Sequence, residues 1–155
     1  MKGKHHIIVE TKKIKYEFDV KRNITVIRGD SATGKTTLIE LLSQYARFSE
    51  RTGIRVDSDV PCLVYADGLV SWQESLSATK DSIVFIDEDF DFIKTKEFAS
   101  VIKGSSNYYV LITRDYLKNL PYSINEVYGI RNSGRFNYPQ QIYNEFYPLY
   151  AKRYY

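Results

Sequence analysis

The chain has 155 residues, 43% apolar and 26% charged, which suits one globular domain spanning 1–155 and leaves little room for a second module. Its net charge of +3 fits a nucleotide or a nucleic acid as partner without selecting either. The single cysteine, Cys62, rules out an internal disulfide, and the lack of an 18-residue apolar window or signal-like N-terminal stretch predicts a soluble, cytoplasmic protein with no membrane partner.

Residues 6–9 and 14–20 are predicted strands around a polar turn. In the second, Ile14, Tyr16, Phe18 and Val20 alternate with Lys15, Glu17 and Asp19, the period of a half-buried antiparallel strand. Ile24 to Ile27 is a continuous apolar run suited to a central strand. It leads into Gly29-Asp30-Ser31-Ala32-Thr33-Gly34-Lys35-Thr36, which satisfies G-x-x-x-x-G-K-[ST] at every position. A helical run, Thr37 to Phe48, follows, with Leu38, Ile39, Leu41, Leu42 and Tyr45 at helical spacing. The glycines permit a turn tight enough to aim successive N–H groups at one phosphate chain, and the helix adds the positive end of its dipole. Lys35 would reach the β- and γ-phosphates, the Thr36 hydroxyl would bind Mg²⁺, and Thr37 closes the candidate segment. The competing reading is a glycine-containing turn before an ordinary helix. Strand, loop and helix in register favour a nucleoside triphosphate.

Residues 49–60 read as a polar loop with a short strand. Cys62 lies in an apolar run, which predicts a buried thiol and not a nucleophile. A short strand over 63–66 and a short helix over 70–78 around Trp72 come next. Ile83 to Ile86 is the second strongly apolar strand, and it ends in Asp87-Glu88-Asp89. Acidic residues often end strands as solvated loop starts. About 50 residues after a phosphate loop they take on another meaning: Asp87 is placed to bind Mg²⁺ opposite Thr36, and Glu88 to orient and deprotonate an attacking water. Asp89 is the alternative base or a solvated neighbour. A helix over 92–102 ends at Gly104. The third buried strand, 108–113, leads to Arg114, which either stabilises charge on a transferred phosphoryl group or pairs with Asp115 or a helix carboxylate.

Strands alternating with helices predict an α/β fold, a three-layer sandwich of the P-loop NTPase kind with a mostly parallel sheet and an N-terminal antiparallel hairpin. Gly29, Asp87 and Thr113, at the carboxyl ends of the buried strands, are expected to converge on one cleft. A shorter strand over 127–130 runs into a hairpin-like turn at Asn132-Ser133-Gly134. The chain carries 14 Tyr and 8 Phe, and eight of these aromatics lie in 136–155. A helix over 140–147 would pack Ile142, Tyr143, Phe146 and Tyr147 on the sheet. The residues after Pro148 are a candidate contact surface for a protein partner or a second copy, with stacking on single-stranded nucleic acid the weaker alternative.

With these motifs in place, residues 5–135 resemble a reduced member of the ATP-binding-cassette class of P-loop ATPases. Gly29 to Thr37 follows G-x-x-G-x-G-K-T-T except at Ala32, where that family has glycine. Ile83 to Asp87 with Glu88 is similar to its Walker B strand and catalytic glutamate. Arg114 stands in the slot of a histidine that senses the γ-phosphate, so the histidine chemistry does not carry over. The resemblance implies an aromatic from the N-terminal hairpin stacked on adenine; Tyr16 is the nearest candidate, and a place on the buried face of its strand is its competing role. The Leu-Ser-Gly-Gly-Gln signature is missing, and so is the long helical subdomain, since only about 45 residues separate Thr37 from Ile83. Gln73 is the one candidate for the family's Q-loop glutamine. A nucleotide-sandwich dimer and a transport role are therefore not expected.

The leading expectation is a Mg²⁺-dependent ATP-binding protein, a slow ATPase that switches a partner, with Lys35, Glu88 and Arg114 at the reacting phosphate. The alternatives are a small-molecule P-loop kinase, with Arg131 and Arg135 as lid arginines, and a non-hydrolysing nucleotide-binding regulator or inhibitor of another protein.

Overall fold

Alternation along the apolar runs decides the architecture. Ile83, Phe85, Tyr108, Val110 and Ile112 belong to one buried cluster, and the intervening Val84, Ile86, Tyr109 and Leu111 to another. Strands buried on both faces need cover on both faces, so helices must flank the sheet on each side. The computed structural model, which describes residues 1–28, 34–137 and 141–150, has this form.

Its strands are β1 (His5–Glu10), β2 (Ile14–Val20), β3 (Ile24–Ile27), β4 (Arg55–Asp57), β5 (Cys62–Val64), β6 (Ile83–Asp87), β7 (Tyr108–Ile112), β8 (Val127–Asn137) and β9 (Gln141–Pro148). They form one curled sheet in the order β4-β1-β2-β9-β8-β3-β7-β6-β5. Five of the eight pairings are parallel, and β1 and β2 form the expected antiparallel pair. The helices among the described residues are α1 (Lys35–Phe48), α2 (Trp72–Ala78) and α3 (Lys96–Lys103). Leu38 and Leu42 of α1 pack on the first cluster; Leu76 of α2 and Phe98 and Ile102 of α3 pack on the second. Ser71 and Thr95 cap α2 and α3 by accepting from the backbone N–H groups of Glu74 and Phe98. No helix among the described residues is long and apolar enough to cross a membrane.

Three expectations fail locally. Residues 92–102 are not one helix: a 3₁₀ turn, Asp91–Lys94, precedes α3, because the Thr95 side chain restarts the helix as its cap. Asn132 to Gly134 is not a hairpin turn but part of β8, where the register with β9 shifts between Asn132 and Phe136. The helix expected over 140–147 is a strand. Without β9, β2 and β8 would each present an unpaired edge; β9 runs parallel to one and antiparallel to the other and satisfies both.

Candidate functional site

The carboxyl ends of β3, β7 and β6 lie side by side: Ile27 pairs with Ile112, Ile112 with Asp87, and the Thr113 N–H donates to the Ile27 carbonyl at 3.0 Å. At these ends lies a cavity of about 230 Å³ lined by Lys35, Thr36, Asp87, Glu88, Asp89 and Arg114. Side chains separated by up to 80 positions in sequence therefore meet at one place because parallel strands stack their ends. Gly29, Asp30, Ser31, Ala32 and Thr33 lie outside the described residues. The described end of that segment is Gly34, with φ of +92°, followed by Lys35, Thr36 and Thr37 in the first turn of α1. Lys35 is only 4% exposed, whereas Thr36 and Thr37 are exposed.

Asp87 is half-buried, and its pKa is raised, first by burial and then by the charge of Asp89, with Glu88 adding to it. A bound cation would act against each of these causes. Among the described residues no group of three His, Cys, Asp or Glu side chains is placed to hold a metal ion. The oxygen donors at the cavity are the Thr36 hydroxyl and the carboxylates of Asp87, Glu88 and Asp89; Thr36 with Asp87 alone would fit an ion that keeps waters and phosphate oxygens as its other ligands.

Glu88 and Arg114, expected to act separately on the reacting phosphate, contact each other. The Arg114 backbone N–H donates to Glu88 Oε2 at 2.8 Å, and Arg114 Nε lies 3.4 Å from Oε1. Of the two roles open to Arg114, this is the ion pair, but with Glu88 in place of Asp115, which pairs with Lys94 at 2.8 Å. With the Arg114 side chain 60% exposed, the pair contributes at most about 1 kcal/mol and opens readily.

The stacking role of Tyr16 does not survive. Its ring has no exposed surface, so it offers no face to a base. Its hydroxyl donates to the Gly34 carbonyl at 2.9 Å, and burial pushes its pKa up to about 12. Tyr16 braces the end of the loop from below. Gln73, on α2, does not line the cavity. Arg131 is held away from it, its Nε 2.9 Å from Glu145 Oε1 and its guanidinium over the Tyr147 ring at 4.6 Å; the Arg135 side chain lies outside the described residues.

Two features escape the sequence. Arg28, next after β3, donates to the hydroxyls of Tyr150 and Tyr122 and to the Asp115 carbonyl, while its buried Nε has no partner. Tyr150 of the aromatic segment is thus a contact within this chain; residues 151–155 lie outside the described residues. A second cavity, of about 420 Å³, opens against Gly34 and Thr37 and is lined by β2, β8 and β9. No local signal marks either, since both depend on strands distant in sequence. The chain matches no known family model, and no curated protein matches it closely enough to indicate a relative.

Proposed function

We propose that the protein is a Mg²⁺-dependent ATP-binding protein of the P-loop NTPase kind, a slow ATPase that controls a partner through its nucleotide state. The observation that carries this reading is the meeting at one cavity of Lys35 and Thr36, the last two residues of a G-x-x-x-x-G-K-T sequence, with Asp87, Glu88 and Arg114. The sheet order supports it: β3 is central, with β7 between it and the acidic end of β6, so the cavity has the phosphate segment on one side and the carboxylates on the other. The lone free thiol, Cys62, suits the reducing, ATP-rich cytoplasm.

In this reading Lys35 neutralises charge on the β- and γ-phosphates, and Thr36 and Asp87 hold Mg²⁺, which when bound offsets phosphate charge. Glu88 takes the proton of the attacking water once Arg114 lets go of it. Arg114 then carries a free guanidinium beside the phosphate it was expected to touch. A pair worth at most about 1 kcal/mol slows turnover by about fivefold at most, and a partner that draws Arg114 aside would remove that brake. The same ion pair favours, as the second reading, a regulator that binds nucleotide with negligible turnover.

The Glu88→Gln variant should bind ATP as the parent does while phosphate release drops by about 100-fold or more. Titration of ATP binding together with a phosphate-release assay checks this. Hydrolysis unchanged in Glu88→Gln removes Glu88 from the chemistry, and no release by the parent, alone or with a partner, leaves the regulator.

A further inference from the structure

The first turn of α1 stands between two cavities. Lys35 and Thr36 line the one that contains the carboxylates, and Gly34 and Thr37 line the one of about 420 Å³. An elongated ligand with its phosphates at Lys35 and Thr36 would pass Thr37 and place its other end in this second space, which is large enough for a nucleoside.

The wall opposite Gly34 is one face of three adjacent strands. Register sets Ile14 beside Ile142, Tyr16 beside Asn144, and Asn144 beside Asn132. Side chains two apart share a face, so these residues form a single patch on the side of the sheet that α1 covers. Ile14 and Ile142 supply a flat aliphatic surface; Ile142 is 40% exposed, although it lines the cavity. Asn132 and Asn144 supply the polar groups. The Asn132 Oδ1 accepts from the Gly134 N–H at 2.8 Å, which occupies one of its two lone pairs. The Asn144 carboxamide has no hydrogen-bond partner among the described residues and keeps both a donor and an acceptor. Of the charged neighbours on these strands, Lys15 and Glu145 alternate to the opposite face, while Arg131 lines the cavity with its guanidinium held by Glu145 and the Tyr147 ring.

We infer that this cavity is the base site of the nucleotide and that it selects adenine over guanine through the carboxamide of Asn144. This rests on the phosphate-binding role of Lys35 and Thr36 proposed above. A carboxamide matches adenine by accepting from its 6-amino group and donating to N7. Guanine presents two acceptors, O6 and N7, on that edge and calls for an arginine or lysine; the arginine at this cavity, Arg131, has its guanidinium engaged by Glu145 and Tyr147. On its other edge guanine adds a 2-amino donor. The Asn132 oxygen, which already accepts from Gly134, keeps one lone pair for it, so the discrimination rests on Asn144. Aliphatic contact from Ile14 and Ile142 replaces the aromatic stack that Tyr16 does not provide.

The test is calorimetric titration, with Mg²⁺, of the full chain and of Asn144→Leu and Ile142→Ser with ATP, GTP and inorganic tripolyphosphate. The parent should prefer ATP to GTP by about tenfold or more. Both variants should lose about tenfold in ATP affinity, and in Asn144→Leu the preference should collapse, while tripolyphosphate binding stays at the parent's value and certifies the fold. Should Asn144→Leu lose tripolyphosphate as well, the substitution at the exposed Ile142 decides. Equal ATP and GTP affinity in the parent, or a preference that Asn144→Leu leaves intact, overturns the base site and leaves the phosphate site standing. A parent that binds none of the three overturns both.

Discussion

Gly34 answers two demands at once. Its φ of +92° is one that side-chain-bearing residues rarely adopt, and a Cβ there would approach the Tyr16 hydroxyl to 3.1 Å. That hydroxyl in turn donates to the Gly34 carbonyl, so the last residue before α1 is tied to β2. Tyr16→Phe separates bracing from stacking, because it keeps the ring and removes only the donor. The Gly34 carbonyl loses its partner at a cost of about 1–2 kcal/mol in stability, and ATP and tripolyphosphate affinity should fall together by about fivefold. Urea denaturation and titration check the two effects; full affinity in Tyr16→Phe would remove the bracing role. At this scale the sequence was legible where conformation depends on neighbours in the chain, as in the glycine at position 34 before the first turn of α1. It was silent where a contact joins strands far apart, as between Glu88 and Arg114.

The pair β8 and β9 shows how an element gets its conformation from its surroundings. Ile142, Tyr143, Phe146 and Tyr147 suit one side of a helix as well as they suit a strand, and only the presence of β2 and β8 decides between the two. By contrast Ile24 to Ile27, Ile83 to Ile86 and Tyr108 to Ile112 are apolar without interruption, too short for buried helices, and were readable as central strands. Within the pair, Tyr147 lies over Gly129, its directly opposed residue, and a Cβ at Gly129 would come within 2.6 Å of the ring. Gly129→Ala must displace Tyr147, and with it the ring that carries the Arg131 guanidinium, at a cost of about 1–3 kcal/mol. The double variant Gly129→Ala with Tyr147→Ala should be far less unstable than the sum of the singles. Denaturation midpoints for all three variants check the coupling; additive losses would mean that the close approach is not what holds the glycine there.

For the molecule as a whole, the mixed α/β class, the N-terminal antiparallel pair and the parallel centre were legible because each buried strand declares itself, while the order of the strands and the curl of the sheet into a half-barrel were not. Nothing in residues 127–148 announces that they enter the sheet between β2 and β3, since pairing partners are chosen by which edges are open. That insertion has a consequence for how the protein is made. In the sheet, β1, β2 and β4 reach the parallel centre only through β9. A ribosome delivers β1 and β2 first, yet the strand that joins them to the rest emerges more than a hundred residues later. The N-terminal hairpin must wait, half its edge unpaired, while β3, β6 and β7 assemble without it. Pulsed hydrogen exchange during refolding should protect β3, β6 and β7 before β1 and β2, and simultaneous protection would contradict this order. Until residues 127–148 arrive, the chain has the residues of the carboxylate-lined cavity but no wall opposite Gly34, so the proposed base site would be completed after the proposed phosphate site.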